Sequence, residues 1–525
     1  RRNERVGGVM NQLRTKETRN TAWARRAMCS LAFLGGSGLA NHAMAEVKLP
    51  NIFTDSMVLQ QKQENKIWGK DNPGQVVTIS VGDKKVSATT DAAGNWEAKL
   101  PAMEIGEPRT ITVAGSSTKT ISDVLVGEVW ICSGQSNMQW SVAQSNDPDL
   151  ERLAANFPKI RMINFPQTGS QEPIWSHDDR KWMVCNPENN PKFSAVGYFF
   201  ARQIHQTTGV PIGMINNAWG GSACEAWVNL DVLKADGHFN KMVENWTANA
   251  DRFKSLSDKK ERTKEEEDQL KNLGNQMRGN QRPANIYNGV LKSHLGYGIK
   301  GAIWYQGESN AGRAYQYRDL FPLMIQNWRK EWGQGDFPFY WVQLADFKAE
   351  PKEPSESDWA ELREAQTMTM DKLPHTGQAV IIDIGEGKDI HPKNKVDVGR
   401  RLARWALANE YGIPVEHQSP RYASMQADGE GIVLSFNHLA SGWRPFDVNE
   451  PIGFTIAGED KKFYPATAKI IDGGKIRVSS PSVPKPVSVR YAWADNPVCN
   501  MFSAGGLPLT PFRTDDWPGV TAGRE

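Results

Sequence analysis

The chain has 525 residues, of which 39% are hydrophobic and 23% are charged, the balance of a soluble globular protein. Its length exceeds what one hydrophobic core serves, so we expect two to four domains. The formal net charge is only +2, and no block rich in Lys and Arg interrupts the sequence. We therefore expect no nucleic-acid partner, because nucleic-acid surfaces need clustered positive charge.

The first 45 residues differ from the rest and resemble a secretory signal peptide. Arg25 and Arg26 precede a short apolar segment, 27–39, and residues 43–45 (Ala-Met-Ala) form a small-x-small cleavage site. The first methionine is Met10, which indicates a reading frame extended upstream. We expect export to the periplasm or the exterior, and the alternative is a cytoplasmic protein with a disordered tail. No later segment is long enough to predict an integral membrane segment.

The cysteines give little guidance to chemistry. No Cys-x-x-Cys pair occurs, which argues against zinc and redox sites, so we expect no metal. An oxidising compartment permits disulfides, and a bond between Cys132 and Cys224 is one hypothesis, although spacing does not fix the pairing. Cys29 would leave with the signal peptide. The cysteines that would remain are Cys132, Cys185, Cys224 and Cys499.

Residues 46–122 predict an N-terminal β domain. Segments 75–81 and 109–113 alternate apolar and polar residues, the pattern of half-buried strands. Residues 91–95 (Asp-Ala-Ala-Gly-Asn) form a turn between strand-like flanks. Short strands separated by frequent turns are typical of a small sandwich.

Residues 123–414 predict an α/β domain, because apolar strand candidates now alternate with amphipathic helix candidates. Gly209 and Pro211 close one such helix. Elements of this size and order predict a parallel sheet covered by helices on both faces. The predicted strands are 124–131, 160–165, 210–216, 300–305, 337–344 and 378–384, and the predicted helices are 194–208, 314–332 and 396–410.

A charged segment interrupts this pattern. Residues 251–272 carry dense charges of both signs and predict a solvated helical insertion, within an excursion of about 236–284. Beyond the α/β domain the β pattern returns, with a strand candidate at 431–436. Residues 472–474 (Asp-Gly-Gly) predict a hairpin. We therefore expect residues 415–525 to form a C-terminal β domain.

One stretch, residues 131–140, turns abruptly from an apolar strand candidate to small and polar residues. A strand that ends in a short loop presents a side chain at the carboxyl edge of a sheet. Ser136 is therefore the candidate nucleophile, although Gly and Ser are also common in ordinary turns. Familiar alternatives are missing, because the chain has no P-loop, no His-Glu-x-x-His motif and no Gly-x-Ser-x-Gly elbow.

A serine nucleophile needs a base within hydrogen-bond reach, and the base needs an orienting group. His391 follows the strand candidate 378–384 through a glycine-containing loop, so it shares the carboxyl edge with Ser136. Asp389 lies two residues earlier, near enough to hold the imidazole in the useful tautomer. The competing interpretation of His391 is a solvated loop side chain. The other histidines after residue 45 are His177, His205, His238, His294, His375, His417 and His438.

Acyl transfer also needs hydrogen-bond donors for a developing oxyanion. Two further loops follow predicted strands and offer them. Residues 216–222 contain Gly220 and Gly221, whose backbone N–H groups lack side-chain cover, and residues 305–310 supply side-chain amides. Four polar loops at one edge of a parallel sheet form a stronger pattern than any loop alone, because ligands bind at that edge.

Together these loops resemble the SGNH (GDSL-like) hydrolase superfamily and, within it, the sialate O-acetylesterase family of carbohydrate esterases. The resemblance implies a three-layer, parallel-sheet SGNH hydrolase core with flanking N- and C-terminal β-sandwich-like domains. It also implies hydrolysis of acetyl esters on sugar hydroxyls, sialic acids (9-O) first, through an acetyl-enzyme and without metal or cofactor. The resembling segments are 134–138, 219–222, 305–310 and 389–392, with 55–61 and 506–515 outside the α/β domain.

By position, the resemblance implies Ser136 as nucleophile, His391 as general base and Asp389 as the partner of His391. The superfamily usually places that Asp three residues before the His, where this chain has Lys388. The orienting group therefore stays open between Asp389, another carboxylate such as Glu308, and a backbone carbonyl.

The same resemblance implies an oxyanion hole made by the Ser136 amide, one glycine of the Gly220–Gly221 pair, and Gln306. Gln306 stands for the Asn of the superfamily's third block, and Ser222 stands where Thr is more usual. The candidate substrate-binding residues are Gln135, Asn137, Trp219, Glu308 and Asn310.

Two other functions fit the same sequence. The first is an esterase for acetylated xylan or another glycan. The motifs do not separate these substrates, because the acetyl group and the attack on it are the same. The second is a catalytically inactive carbohydrate-binding protein, since the chain has 19 Trp residues and aromatic faces stack on sugars. An O-acetylated sugar is the expected partner in the enzymatic cases, and the oligomeric state is not predicted.

Overall fold

A 17-residue strand, Thr118–Gly134, belongs at once to the N-terminal β region and to the central sheet. The computed structural model describes residues 46–524 of the chain. The predicted signal peptide and Cys29 lie outside the described residues, so export stays a prediction. The predicted border between residues 122 and 123 falls inside this strand, and the borders of the proposed domains stay predictions as well.

The strands and helices are named in chain order. The strands are β1 (Val58–Gln60), β2 (Asn65–Lys70), β3 (Val76–Val81), β4 (Lys84–Thr89), β5 (Asn95–Leu100), β6 (Arg109–Ala114), β7 (Thr118–Gly134), β8 (Phe157–Asn164), β9 (Trp182–Cys185), β10 (Ile212–Asn216), β11 (Gly301–Tyr305), β12 (Phe339–Val342), β13 (Thr376–Ala379), β14 (Arg421–Asp428), β15 (Gly431–Asn437), β16 (Phe454–Ala457), β17 (Phe463–Pro465), β18 (Thr467–Ile471), β19 (Lys475–Ser479), β20 (Ser488–Tyr491) and β21 (Phe512–Arg513). The α-helices are α1 (Ser136–Gln139), α2 (Pro148–Ala154), α3 (Ala195–Thr208), α4 (Leu230–Ala235), α5 (Asn240–Asp258), α6 (Lys264–Met277), α7 (Asn285–Gly289), α8 (Ala314–Trp332), α9 (Asp358–Lys372) and α10 (Lys395–Asn409).

The central sheet has the strand order β13–β12–β11–β7–β10–β8–β9. Its neighbouring strands are parallel except β8 and β9, which pair antiparallel. The register sets Tyr305 of β11 opposite Gly134 of β7, and Asn216 of β10 opposite Cys132 of β7. The carboxyl ends of three neighbouring strands therefore meet at one edge, as the sequence predicted. The SGNH assignment of this core stays a prediction.

Helices pack against both faces of the sheet, because successive side chains of a strand point to opposite sides. On one face, Trp130 and Cys132 of β7 share a buried cluster with α3 and α10. On the other, Val129 and Ile131 share a second cluster with α8 and α9. Five of the Trp residues are fully buried core side chains, so much of the Trp content serves packing: Trp130, Trp227, Trp304, Trp328 and Trp341.

The last strand of the sheet is shorter than predicted. The sequence predicts a strand over 378–384, but β13 ends at Ala379. Beyond it, Val380 and Ile382 are buried against the C-terminal β region rather than in the sheet, and the Val380 carbonyl accepts a hydrogen bond from Arg401. The apolar run thus reflects contact with a neighbouring layer, which a period-based prediction does not separate from a strand.

The flanking regions are β-sheet, and the insertion is helical. In the N-terminal region β3 pairs with β4 and β6, while β2 and β5 form a two-stranded sheet. The C-terminal region holds two four-stranded sheets, β14–β15–β19–β18 and β17–β16–β20–β21. The charged insertion forms α5 and α6, which pack against each other. Across residues 46–524, no helix combines the length and the apolar character that a membrane crossing requires.

The hypothesis of a disulfide between Cys132 and Cys224 is wrong. All four cysteines in the described part of the chain are free thiols. Cys132 lies under α3 on one face of the sheet, and Cys224 lies 3.7 Å (sulfur to sulfur) from Met324 of α8 on the other. Cys132 is therefore a small core residue beneath the Ser136 loop, and burial raises the pKa of its thiol.

Candidate active site

Ser136 lies one residue beyond the turn that ends β7. Gly134, the last residue of β7, has φ +130°, and a Cβ there would collide with the Tyr305 backbone. Glycine therefore allows the chain to leave the sheet against β11. Gln135 is extended and donates its backbone N–H to the Tyr305 carbonyl, and Ser136 begins the short helix α1. The Ser136 side chain therefore lies just beyond the carboxyl edge of the central sheet.

His391 reaches Ser136 from a distant part of the chain. Its Nε2 atom lies 2.8 Å from Ser136 Oγ, a hydrogen-bond distance across 255 residues of sequence. The histidine follows β13 through the loop 385–390, so the two residues meet at the edge where the sequence analysis placed them. A serine hydroxyl in contact with an imidazole is the arrangement that activates a nucleophile.

Asp389 lies beside Nδ1, the ring nitrogen of His391 that does not contact Ser136. Its Oδ1 atom accepts the backbone N–H of His391 at 2.9 Å and lies 3.4 Å from His391 Nδ1. The backbone bond closes a local turn of the kind that Asp forms with residue i+2. This turn explains how Asp389, only two residues before His391, still lies beside the imidazole. Glu308, the other carboxylate considered, contacts Asn137 instead, at 2.8 Å.

The imidazole of His391 also stacks on an aromatic ring. The ring of Trp140 stacks on it, with centroids 4.8 Å apart and planes 14° apart. The Trp140 carbonyl accepts a hydrogen bond from Ala195, which fixes Trp140 at the start of α3. Burial lowers the pKa of His391 below its ordinary value, opposed by the Asp389 carboxylate and reinforced by the Lys395 ammonium. Near pH 7 the imidazole is neutral and able to accept a proton.

Gln306 does not offer a free donor to the cleft. Its side chain is fully buried, and Nε2 donates to the Ser222 carbonyl (3.1 Å) and to Asn310 Oδ1 (2.6 Å). Its Oε1 accepts from Tyr317. Because a carbonyl only accepts, the Ser222 contact fixes which end of the amide is nitrogen. Both amide hydrogens are used, so the predicted oxyanion role of Gln306 does not fit this geometry.

The two glycines of the second loop differ in position. A Cβ placed on Gly220 would lie 3.3 Å from Ser136 Cβ, whereas the nearest atom to one on Gly221 belongs to Asn280. Gly220 is thus the glycine that faces Ser136. Its N–H donates to Gln139 Oε1 at 2.6 Å. Asn280 and Gln281, at the foot of the insertion, bind the carbonyls of Gly220 and Gly221 and fix the turn.

Two further groups lie beside Ser136 in the predicted oxyanion region, the Ser136 amide and the Gln139 side chain. Within residues 46–524 the Ser136 N–H has no hydrogen-bond partner, so it is a donor available to a ligand. Gln139 is exposed, and its oxygen occupies the other donor, the Gly220 N–H. Gln139 was not among the predicted site residues, because nothing in a Gln at this position indicates which backbone N–H its oxygen would bind.

Three of the predicted substrate-binding residues are buried and bind protein groups. Gln135 Oε1 accepts from the backbone N–H groups of Gly307 and Ser309. Asn310 binds the Cys224 amide, Gln306 and Glu225. Asn137 is 1% exposed. These residues support the loops rather than reach the cleft, while Trp219 and Glu308 remain partly exposed.

Lys395 is a site residue that sequence reasoning missed. It is fully buried, and its Nζ donates to Asn137 Oδ1 at 2.5 Å. Lysine is among the residues least often buried, so nothing in the sequence indicated that this one belongs to the site. Among residues 46–524, no group of three or more His, Cys, Asp or Glu side chains is arranged to hold a metal ion.

Comparison with known proteins identifies the family. The model for "Carbohydrate esterase, sialic acid-specific acetylesterase" matches residues 126–257 and 273–408, about half of the chain. This chain belongs to that family. The matched ranges span the Ser136 loop, both supporting loops and His391, and the gap between them falls within the charged insertion. The sialic acid-specific acetylesterases are carboxylic ester hydrolases, and this member is one as well.

Relatives of this acetylesterase extend over nearly the whole chain. Mouse sialate O-acetylesterase is 31% identical over 504 residues, covering 87% of this chain and 92% of the mouse protein. The human sialate O-acetylesterase is 26% identical and covers 90% and 94%. The crystal structure of a carbohydrate acetylesterase from Xanthomonas citri is 39% identical with a TM-score of 0.78, covering 90% of this chain and all of that one. The flanking β regions therefore belong to the shared architecture.

Proposed function

We propose that this acetylesterase hydrolyses O-acetyl esters of sialic acids by a serine mechanism, with Ser136 as nucleophile and His391 as general base. The observation that carries the proposal is the 2.8 Å contact between Ser136 Oγ and His391 Nε2. It occurs in a family named for acetyl esters of sialic acid, at the sheet edge where ligands bind in α/β folds.

In the first half of the reaction, His391 Nε2 accepts the Ser136 proton while Oγ attacks the acetyl carbonyl carbon. The carbonyl oxygen becomes an oxyanion, for which the Ser136 and Gly220 N–H groups are the proposed donors. Gln139 must leave the Gly220 N–H for the second donor to act. Collapse of the intermediate breaks the bond to the sugar oxygen, which takes the proton from His391. The products are the free sugar hydroxyl and acetyl-Ser136.

In the second half, His391 accepts a proton from a water molecule while the oxygen of that water attacks the acetyl carbon of acetyl-Ser136. The same donors hold the second oxyanion. Breakage of the bond to Oγ releases acetic acid, and His391 returns its proton to Ser136. One ester and one water are consumed and one alcohol and one acid are formed, so every proton is accounted for. Asp389 is the proposed partner of the imidazolium that forms in both halves.

Gln306 takes a supporting role in this scheme. With both hydrogens bound to Ser222 and Asn310, it links the loop after β11 to the loop that contains Gly220. Asn310 is held in turn by Glu225, and Glu225 is paired with Arg313. A buried network with its groups satisfied positions a loop without moving during the reaction.

The substrate assignment rests on the family and on the mouse and human relatives, which are sialate O-acetylesterases. Esters on xylan or another glycan are the second candidate, because the X. citri relative is a carbohydrate acetylesterase of 39% identity. The test is acetate release from 9-O-acetyl sialic acid and from acetylated xylan, with Ser136→Ala as the control. A higher kcat/KM on 9-O-acetyl sialic acid supports the proposal. A higher kcat/KM on acetylated xylan would instead favour the second candidate substrate.

A further inference from the structure

Lys395 occupies an unfavourable position for a cation. It is fully buried and begins α10, where the positive end of the helix dipole opposes an ammonium group. In the described part of the chain the one hydrogen bond of its ammonium group is to Asn137 Oδ1. The rings of Trp140 and Tyr305 lie 5.7 and 5.4 Å from Nζ and supply cation–π contacts. An apolar residue would fill this space at lower cost.

Asn137 connects Lys395 to both halves of the reactive pair. It follows Ser136 directly, and its Nδ2 donates to the carbonyl of Ile390, the residue before His391, at 3.0 Å. The same Nδ2 donates to Glu308 Oε1 at 2.8 Å. Because Lys395 only donates and the Ile390 carbonyl only accepts, the orientation of the Asn137 amide is fixed by its partners. Lys395 thereby fixes the orientation of the Asn137 side-chain amide, which joins the Ser136 and His391 loops.

The charges around Lys395 come from two loops. Glu308 lies across Asn137, and its second oxygen is buried without a partner among the described residues. Glu386 and Asp389, on the loop before His391, also attract the ammonium, and His391 is the titrating group it repels. Burial lowers the pKa of Lys395 to about 7 and raises the pKa of Glu308. In the acidic range where His391 titrates, Lys395 is therefore mostly protonated.

We propose that Lys395 is a positioning residue for the hydrolytic pair, which orients the Ser136 and His391 loops through Asn137 and keeps His391 unprotonated by its charge. The inference rests on the proposed function, since it concerns the same pair. Two separable effects follow. Loss of the hydrogen bond to Asn137 lowers kcat, because the two loops lose their common anchor. Loss of the charge lets His391 hold its proton to higher pH, because the repulsion disappears.

The experiment compares Lys395→Met, which removes donor and charge, with Lys395→Gln, which removes the charge but keeps an N–H donor. Lys393→Met is the matched control, since Lys393 is exposed two residues away and contacts Glu386 through its backbone only. The measurement is kcat and KM for an aryl acetate from pH 4.5 to 9, with thermal unfolding of each variant as the check on folding.

We expect the acidic limb of kcat/KM to move to higher pH by at least about 0.5 unit in both Lys395 variants and to stay in place in Lys393→Met. We expect kcat at pH 8 to fall about tenfold in Lys395→Met and less in Lys395→Gln, with KM changed little. A variant too slow to assay still reports through NMR of ring-labelled histidine, where the His391 titration should show the same upward shift.

The inference is overturned if both Lys395 variants keep the wild-type acidic limb and the wild-type His391 titration. That failure is distinct from failure of the proposed function. If Ser136→Ala retains activity, the serine mechanism is wrong whatever Lys395 does. If Ser136 is required and the Lys395 variants behave as wild type, only the positioning role is wrong.

Discussion

The side-chain oxygen of Gln139 accepts a hydrogen bond from the Gly220 backbone N–H at 2.6 Å, beside the Ser136 hydroxyl. Gly220 packs so closely on Ser136 that a Cβ would lie 3.3 Å from the serine Cβ. An amide oxygen thus holds one of the two donors that we propose for the developing oxyanion. A bound ester has to displace Gln139 before both donors act, which makes this contact a direct competitor of the substrate.

We expect Gln139→Ala to raise kcat/KM for an aryl acetate by a few-fold, because a neutral hydrogen bond contributes about 1 kcal/mol net and no longer has to be broken. Gln139→Glu should lower kcat/KM, since a carboxylate would bind the same N–H more strongly and repel the oxyanion. Steady-state kinetics on the two variants provide the check. A large loss in Gln139→Ala would mean that Gln139 assists the reaction rather than competes with substrate.

Substitution of Gly220 and of Gly221 should affect kcat differently. Gly220→Ala places a methyl 2.9 Å from Gln139 Oε1 and 3.3 Å from Ser136 Cβ, so the donor must shift. We expect kcat to fall about 100-fold, the typical loss of one oxyanion donor. Gly221 has φ +73° and is its matched comparison. Gly221→Ala should cost about 1–2 kcal/mol of stability through backbone strain while keeping kcat within about threefold of wild type. Equal losses of kcat in the two variants would contradict the assignment.

Asp389 should affect both the rate and its pH dependence. Burial lowers the His391 pKa, so the acidic limb of wild-type kcat/KM should lie below pH 6.5. Activity is present above that pKa, where His391 is neutral, and is lost as pH falls through it. The Asp389 carboxylate raises the His391 pKa, so Asp389→Asn should move the limb to still lower pH, opposite to the Lys395 variants.

We expect Asp389→Asn to reduce kcat by at least about tenfold, because the carboxylate stabilises the imidazolium and fixes its tautomer. The 3.4 Å separation from Nδ1 argues for a smaller loss than a short, aligned hydrogen bond would give. Glu308→Gln is the comparison, since Glu308 contacts Asn137 and not His391. A pH–rate profile that changes more in Glu308→Gln than in Asp389→Asn would transfer the orienting role to Glu308.

The sequence predicted the parts of this site that depend on chain topology. Strand–loop alternation places residues at the carboxyl edge of a parallel sheet, so the meeting of Ser136 and His391 followed from order alone. The same logic located the loops that contain Gly220 and Gln306. It did not reveal what each side chain would contact once there.

The parts that depended on side-chain packing were not predictable. Gln306 was expected to face the cleft, but its amide is bound on both sides by Ser222 and Asn310. Lys395 was not among the predicted site residues, because sequence carries no sign that a helix start will be covered. The position of Cys132 follows from the face of β7 on which it falls, and only the packed structure shows α3 above it.

Covalent labelling with a serine-reactive phosphonate, followed by mass spectrometry of the digested protein, tests the role of Ser136 most directly. We expect one adduct per chain, on Ser136, formed at a rate that rises as His391 loses its proton. Ser136→Ala should take up no label while unfolding at the wild-type temperature. An adduct on another residue, or equal labelling of wild type and Ser136→Ala, would contradict the assignment of Ser136 as the nucleophile.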